Sequence, residues 1–186
     1  MNFKFISLIF IILSLASCSV PKTDLTPDQS SVRNITYGQV IGGDNGKTHQ
    51  WLGLQYGSIP SAEFRWKKAN APASWDGVKE ALNFGPSCIQ KGSLINTSKR
   101  RKWGDMVGSE DCLYLNIWAP KMNPENLQTS VPMPVMLWIH GGSNVSGNAD
   151  FYNPSALASE HQVIVVTINY RPVSYTPLTL PTKRIV

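Results

Sequence analysis

Residues 134–147, which read PVMLWIHGGSNVSG, decide the fold of this chain. Residues 135–139 are apolar without a break, and a continuous rather than alternating apolar run predicts a strand that is buried on both faces. Gly141 and Gly142 predict a sharp turn after it, because a backbone without a Cβ can turn tightly and approach another group closely. Backbone N–H groups exposed at such a turn can bind an oxyanion. A plain strand-to-loop turn is the alternative.

The residues after this stretch predict a parallel pair of strands. Residues 153–158 indicate a short helix, with Asn153 as its cap and Pro154 at the first helical position. Residues 163–169 are rich in β-branched side chains and predict a second buried strand. Strand, helix and strand in this order imply a right-handed parallel crossover. A doubly wound α/β sheet with helices on both faces begins in this way.

Three further strands are predicted upstream. Residues 113–118 predict a well-covered strand, and the proline-rich residues 120–134 predict a long loop that joins it to the apolar strand in an antiparallel hairpin. Residues 38–42 and 49–56 predict two short strands. The turn between them falls on residues 43–46, which read GDNG and tolerate positive φ.

The charge of the chain does not indicate a nucleic-acid-binding protein. The 186 residues carry a formal net charge of +5, with 17 basic and 12 acidic residues. Without Lys4, Lys183 and Arg184, which lie in the terminal segments, 14 basic residues face 12 acidic ones. The basic run at residues 99–102 is typical of a solvated loop. The histidines have no ligand partners at metal-like spacing, so we expect no metal and no cofactor.

The N-terminus predicts an exported lipoprotein. Residues 5–15 form an apolar core that is too short to span a bilayer as a mature helix and is typical of a signal peptide. The sequence Leu-Ala-Ser-Cys, which ends at Cys18, resembles the bacterial lipobox, whose cysteine is lipidated. A soluble secretory signal is the alternative. We therefore expect a lipoprotein signal segment at residues 1–18 and a flexible tether at residues 19–35. Ser19 resembles the pattern of lipoproteins that are sent to the outer membrane.

The His-Gly-Gly sequence at the end of the apolar strand resembles the oxyanion-hole motif of α/β-hydrolase esterases. Further motifs follow the order found in type-B carboxylesterases, relatives of the cholinesterases. The resemblance covers residues 36–171 and implies an incomplete α/β-hydrolase fold: a mixed, mostly parallel sheet with helices on both faces. The other motifs that carry it are at residues 38–42, 64–65, 85–90, 109–118 and 163–171.

This resemblance implies roles for several residues. The oxyanion donors would be the backbone N–H groups of Gly142 and Ser143. Relatives usually have a third glycine and then an aromatic residue where this chain has Ser143 and Asn144. If the loop requires positive φ at Ser143, we expect a strain of about 1 kcal/mol there. The place of His140 in the motif implies a structural histidine rather than a catalytic base.

Two covalent and electrostatic links follow from the same resemblance. The chain has three cysteines, and if Cys18 carries lipid, Cys88 and Cys112 remain as a pair. The resemblance implies that these two form a loop disulfide, and two buried free thiols are the alternative. It also implies an ion pair between Arg65 and Glu110, for which two unrelated surface charges are the alternative.

The nucleophile of the family lies in a Gly-x-Ser-x-Gly pentapeptide, and none occurs in the 186 residues. We therefore expect the front part of a serine esterase whose nucleophile, acid and catalytic histidine are missing, and no activity from the chain alone. The complete protein would hydrolyse small carboxylic esters through an acyl-enzyme and would be held at the membrane by its lipid.

Two other readings of the chain remain open. One is a non-catalytic, cholinesterase-like binding or adhesion lipoprotein. The other is a short lipoprotein that uses half of the fold, although an open-edged strand after residues 163–169 argues against it. Residues 172–186 resemble the translation of a sequencing-library adapter, so we expect this tail to be non-native.

Overall fold

The computed structural model describes residues 25–59, 67–92, 105–122 and 132–172. In this part of the chain, a 3-10 turn at Gln29–Ser31 precedes ten strands and one α-helix. The strands are β1 (Arg33–Ile35), β2 (Gly38–Ile41), β3 (Gly43–Asp44), β4 (Thr48–Gln55), β5 (Val78–Glu80), β6 (Gln90–Lys91), β7 (Met106–Val107), β8 (Tyr114–Pro120), β9 (Val135–Ile139) and β10 (Ile164–Ile168), and the helix is α1 (Ser155–His161).

The centre of the fold is a five-stranded mixed sheet in the order β3-β4-β8-β10-β9. The predicted parallel pair of β9 and β10 is confirmed, with Leu137 opposite Val166 and α1 in the connection between the strands. The helix begins at Ser155, one residue later than predicted, and the Ser155 N–H donates to the Asn153 side chain at 3.1 Å. The other pairings in the described sheet are antiparallel. The described part of the sheet is therefore mixed, as predicted, but it is not mostly parallel.

The predicted hairpin between β8 and β9 is wrong. Strand β10 lies between them, and Val166 pairs with Ile117 of β8 on one side and with Leu137 of β9 on the other. The physical reason is the composition of β10, whose β-branched run favours a position with strands on both sides. A central position also satisfies the backbone groups of β10 along both of its edges.

The two predicted N-terminal strands are present as β2 and β4, but they do not pair with each other. Strand β2 lies between β1 and β5 in a separate three-stranded sheet, and the hairpin partner of β4 is β3. The turn between β3 and β4 is held by Asn45, whose side-chain oxygen accepts from the Thr48 N–H at 2.8 Å. The chain passes from one sheet to the other at Gly42, where a Cβ would lie 2.2 Å from the Gln50 carbonyl oxygen.

Residues 25–35 of the expected tether belong to the fold. Strand β1 pairs with β2, and Ser31 is fully buried. The Ser31 hydroxyl donates to the Gly42 carbonyl at 2.9 Å, and the Ser31 carbonyl accepts from the Trp51 indole N–H at 2.9 Å. The polar composition of this segment led to the prediction of a flexible tether. Ser31 can nevertheless be buried, because its polar groups form hydrogen bonds in the interior.

The core has a part on each face of the main sheet. Successive residues of a strand point to opposite faces, and neighbouring residues of β4 and of β8 accordingly lie in different clusters. The described residues place α1 on one face and the three-stranded sheet on the other. The cluster beside the small sheet contains Val40, Trp51, Leu54, Ala81 and Ala119; the cluster beneath α1 contains Leu52, Trp118, Ala158, Val163 and Val165.

Strand β9 was predicted to be buried on both faces, and the structure shows that it is exposed. Among the described residues it forms one edge of the sheet, and its five residues are 45–63% exposed. The Trp138 ring packs against the Tyr152 ring with 4.8 Å between centroids and an angle of 60° between the ring planes. The open-edged strand is thus β9 and not the strand at residues 163–169. Among the described residues, no helix has the length and apolar character needed to cross a membrane.

Candidate active-site loop

The loop after β9 turns tightly around Gly142. The Gly142 carbonyl accepts hydrogen bonds from the Val145 N–H at 2.9 Å and from the Ser146 N–H at 3.1 Å. Gly142 has φ 119°, and a Cβ there would lie 1.8 Å from the Ser146 carbonyl oxygen. Both observations require glycine at this position, because an L side chain rarely adopts such a φ and the clashing atom belongs to the backbone.

The two residues that replace the usual glycine and aromatic residue also have positive φ. Ser143 has φ 55° and Asn144 has φ 60°. Asparagine is enriched in this left-handed region, whereas serine pays a conformational cost there of about 1 kcal/mol. Because φ at Ser143 is positive, we expect the strain of about 1 kcal/mol at this residue.

The N–H groups of Gly142 and Ser143 are available to an external acceptor. Within the described part of the chain, neither group donates a hydrogen bond, and both residues are exposed. Preorganised backbone donors that are not used by the protein can stabilise the negative charge that develops on a carbonyl oxygen during acyl transfer. The loop can therefore supply electrostatic stabilisation without any side-chain chemistry.

His140 is fixed inside the loop. It is 4% exposed, and its ring stacks on Tyr170 with 4.2 Å between centroids. The Nδ1–H group donates to the Gly141 carbonyl at 2.9 Å, and the Tyr170 hydroxyl donates to the His140 carbonyl at 3.0 Å. A buried ring whose Nδ1 binds its own loop matches the structural role that the motif implies.

Polar side chains of the central strands hold the end of the loop. The Asn169 side-chain oxygen accepts from the Ala149 N–H at 2.7 Å, and the Thr167 hydroxyl donates to the Ala149 carbonyl at 3.1 Å. Asn116 in turn donates to the Thr167 hydroxyl at 3.0 Å. Sequence reasoning did not single out these residues; their signal is a polar side chain within an otherwise apolar strand.

The structure joins Cys88 and Cys112 in a disulfide across a sequence separation of 24. Both cysteines are buried and pack with Leu113, which directly precedes β8. In the chain-entropy model, closing a loop of this length contributes about 3 kcal/mol by restricting the unfolded chain. The disulfide therefore fixes the segment after β5 to the central sheet.

Two predicted site residues lie outside the described residues. Arg65 is one of them, so its ion pair with Glu110 stays a prediction. Cys18 is the other, and its lipidation also stays a prediction. The described residues contain no group of three or more His, Cys, Asp or Glu that could hold a metal ion.

A second polar cluster joins the N-terminal segment to β4. His49 is buried, and its Nε2 lies 3.0 Å from the Ser30 hydroxyl and 3.3 Å from an Asp28 carboxylate oxygen. Burial lowers the pKa of His49, and a hydrogen bond from the Ser30 N–H lowers the pKa of Asp28. Serine and acid meet the same ring nitrogen, whereas a catalytic triad places them on different nitrogens. The cluster is therefore structural.

Comparison with known proteins gives a consistent match. Residues 29–178 match the Carboxylesterase family. The matched range includes residues 172–178, which belong to the segment that was expected to be non-native. The chain is 38% identical over 137 residues to para-nitrobenzyl esterase from Bacillus subtilis (strain 168), covering 73% of this chain and 26% of that protein. It is 36% identical over 159 residues to fumonisin B1 esterase from Sphingopyxis macrogoltabida, covering 84% and 27%.

Solved structures give the same result. A PNB esterase superposes with a TM-score of 0.65 at 36% identity, covering 77% of this chain and 28% of that chain. A carboxylesterase from Geobacillus stearothermophilus superposes with a TM-score of 0.63 at 36% identity, covering 76% and 26%. The chain thus spans about a quarter of the length of the relatives it matches.

Proposed function

Because the chain belongs to the carboxylesterase family and has its α/β-hydrolase fold, we propose that the complete protein hydrolyses small-molecule carboxylic esters. The observation that carries this proposal is the pair of unused backbone N–H groups at Gly142 and Ser143, in a loop fixed at both ends.

The proposed reaction proceeds through an acyl-enzyme. A serine hydroxyl attacks the ester carbonyl while a histidine takes its proton, and the alcohol leaves with that proton. Water then releases the acid by the same route. The 186 residues contain no Gly-x-Ser-x-Gly sequence, so we assign to this chain the stabilisation of the oxyanion and assign the triad to the remainder of the catalytic domain. No cofactor or metal takes part.

The relatives include a fumonisin B1 esterase and an acylcarnitine hydrolase from Mus musculus, whose names describe different substrates. We therefore propose the class of reaction, carboxylic-ester hydrolysis, that these names share.

We further propose export and anchoring through a lipid on Cys18, at the outer membrane of a bacterium. The apolar residues 5–15 and the following Leu-Ala-Ser-Cys support this proposal. Metabolic labelling with a palmitate analogue should mark the protein, and Cys18→Ser should abolish the label. Equal labelling of both forms would refute lipidation at Cys18.

The activity is tested by sequencing the locus past the codon for Arg171 and expressing the complete reading frame. We expect a Gly-x-Ser-x-Gly sequence, hydrolysis of p-nitrophenyl acetate, and loss of this hydrolysis when that serine becomes alanine. If the complete reading frame has another residue in place of the serine of Gly-x-Ser-x-Gly, and the protein hydrolyses no ester, the proposed esterase activity is refuted and a binding domain is supported.

A further inference from the structure

Gln90 binds both backbone polar groups of Gly147, which lies in the loop after β9 that carries Gly142 and Ser143. Its side-chain oxygen accepts from the Gly147 N–H at 2.6 Å, and its Nε2 donates to the Gly147 carbonyl at 2.8 Å. The same Nε2 donates to the Cys88 carbonyl at 3.0 Å. Gln90 is fully buried, so these contacts form away from water.

The chemistry of this contact favours an amide side chain. Only Asn and Gln place an uncharged donor and an acceptor side by side, so that one group can satisfy both the N–H and the carbonyl of a single residue. Loss of the amide would leave both groups of Gly147 unpaired near the interior, and each unpaired group carries a desolvation cost.

Gly147 transmits its position to the oxyanion donors. It has φ 128°, and a Cβ on it would lie 2.3 Å from Nδ1 of His140, so its backbone rests against the imidazole. The preceding N–H, that of Ser146, donates to the Gly142 carbonyl at 3.1 Å. A displacement of Gly147 would therefore move both the ring and the turn that presents Gly142 and Ser143.

The other side of Gln90 is anchored to the sheet. Gln90 begins β6, which pairs with β7 through Gln90 and Val107. Two residues earlier, Cys88 is bonded to Cys112, which lies two residues before β8. The amide thus connects the loop to a segment that a covalent bond fixes to the central sheet.

We propose that Gln90 is a positioning residue for ester hydrolysis: it holds Gly147 so that the N–H groups of Gly142 and Ser143 face the developing oxyanion. This inference rests on the proposed function. Gln90 does not touch the substrate. It acts through Gly147, and its contribution is therefore made in the transition state more than in the bound ester.

The test uses Gln90→Met in the complete protein, because methionine has a similar length and forms no such hydrogen bonds. We expect kcat per titrated active site to fall about 10-fold or more with little change in KM. The affinity for a trifluoromethyl ketone, which forms a tetrahedral oxyanion with the nucleophile, should fall by a similar factor.

Gln50→Met is the matched control. Gln50 is also buried, at 4% exposed, and its Nε2 donates to the Ser155 hydroxyl at 3.0 Å. The control therefore removes a buried amide that contacts the helix side of the sheet, whereas Gln90→Met removes one that contacts the loop. It should alter stability without changing kcat per active site or ketone affinity. Gln90→Glu, which keeps the acceptor but has no donor at neutral pH, replaces Gln90→Met if the latter does not fold.

Amide hydrogen exchange separates this inference from the proposed function. At Gly147, Gln90→Met should accelerate exchange at least tenfold relative to Gln50→Met. If exchange is unchanged, or if it accelerates while kcat and ketone affinity stay at wild-type values, the positioning role is wrong. If the wild-type protein hydrolyses no ester, the proposed function and the catalytic role fail together, while exchange still decides whether Gln90 holds Gly147.

Discussion

Replacing Gly142 by alanine gives the sharpest test of the loop conformation. The new Cβ would lie 1.8 Å from the Ser146 carbonyl oxygen at a φ of 119°. Holding a non-glycine residue in such a region costs about 1–3 kcal/mol. If the turn opens instead, it loses two hydrogen bonds to the Gly142 carbonyl, each worth about 1 kcal/mol. By either route we expect the free energy of unfolding to fall by about 1–3 kcal/mol.

The neighbouring Gly141 provides the matched control. A Cβ on Gly141 would meet no atom within 4 Å, so Gly141→Ala should change the unfolding free energy by less than about 1 kcal/mol. Urea unfolding followed by tryptophan fluorescence measures both variants, and amide exchange at Val145 and Ser146 reports the turn directly. Equal destabilisation by both substitutions, or unchanged exchange in Gly142→Ala, would show that the turn is not as described.

Three further outcomes are expected. Replacing Cys88 and Cys112 together by alanine should lower the free energy of unfolding by about 3 kcal/mol, and equal urea midpoints with and without the disulfide would contradict this. His49 has a folded pKa below its unfolded value, so the unfolded state binds more protons between these two values. The contribution of neutral His49 to the free energy of unfolding should therefore be fully present above about pH 6.5 and should fall as the pH drops toward the folded pKa. Urea midpoints at pH 8 and pH 5.5 measure this loss, and His49→Gln should reduce the difference between them. Leu137 of β9 is 58% exposed, so the 186-residue chain should self-associate and Leu137→Lys should reduce light scattering; a monodisperse chain would refute this.

Local patterns predicted the local structure. The β-branched run in β10 and the short helix after Asn153 required only neighbouring residues, and the structure has both, although the N-cap is Pro154 rather than Asn153. The position of the disulfide followed from the resemblance, since spacing alone does not determine which cysteines pair.

The failures involve contacts between distant parts of the chain. The hairpin of β8 and β9 was inferred from sequence adjacency, whereas the actual order depends on β10, which comes later in the chain. The exposure of β9 depends on what lies beside it and not on its own apolar residues. Gln90 was missed because its partner Gly147 is 57 residues away, and a single glutamine carries no periodic signal.

The sheet order has a consequence for how this chain folds as it is synthesised. Strands β8 and β9 both pair with β10, antiparallel and parallel respectively, so they run in opposite directions. Until β10 has been made, neither β8 nor β9 can form its native pairing with β10. Assembly of this sheet therefore depends on a late strand entering between two earlier ones, which favours slow folding and transient exposure of apolar edges.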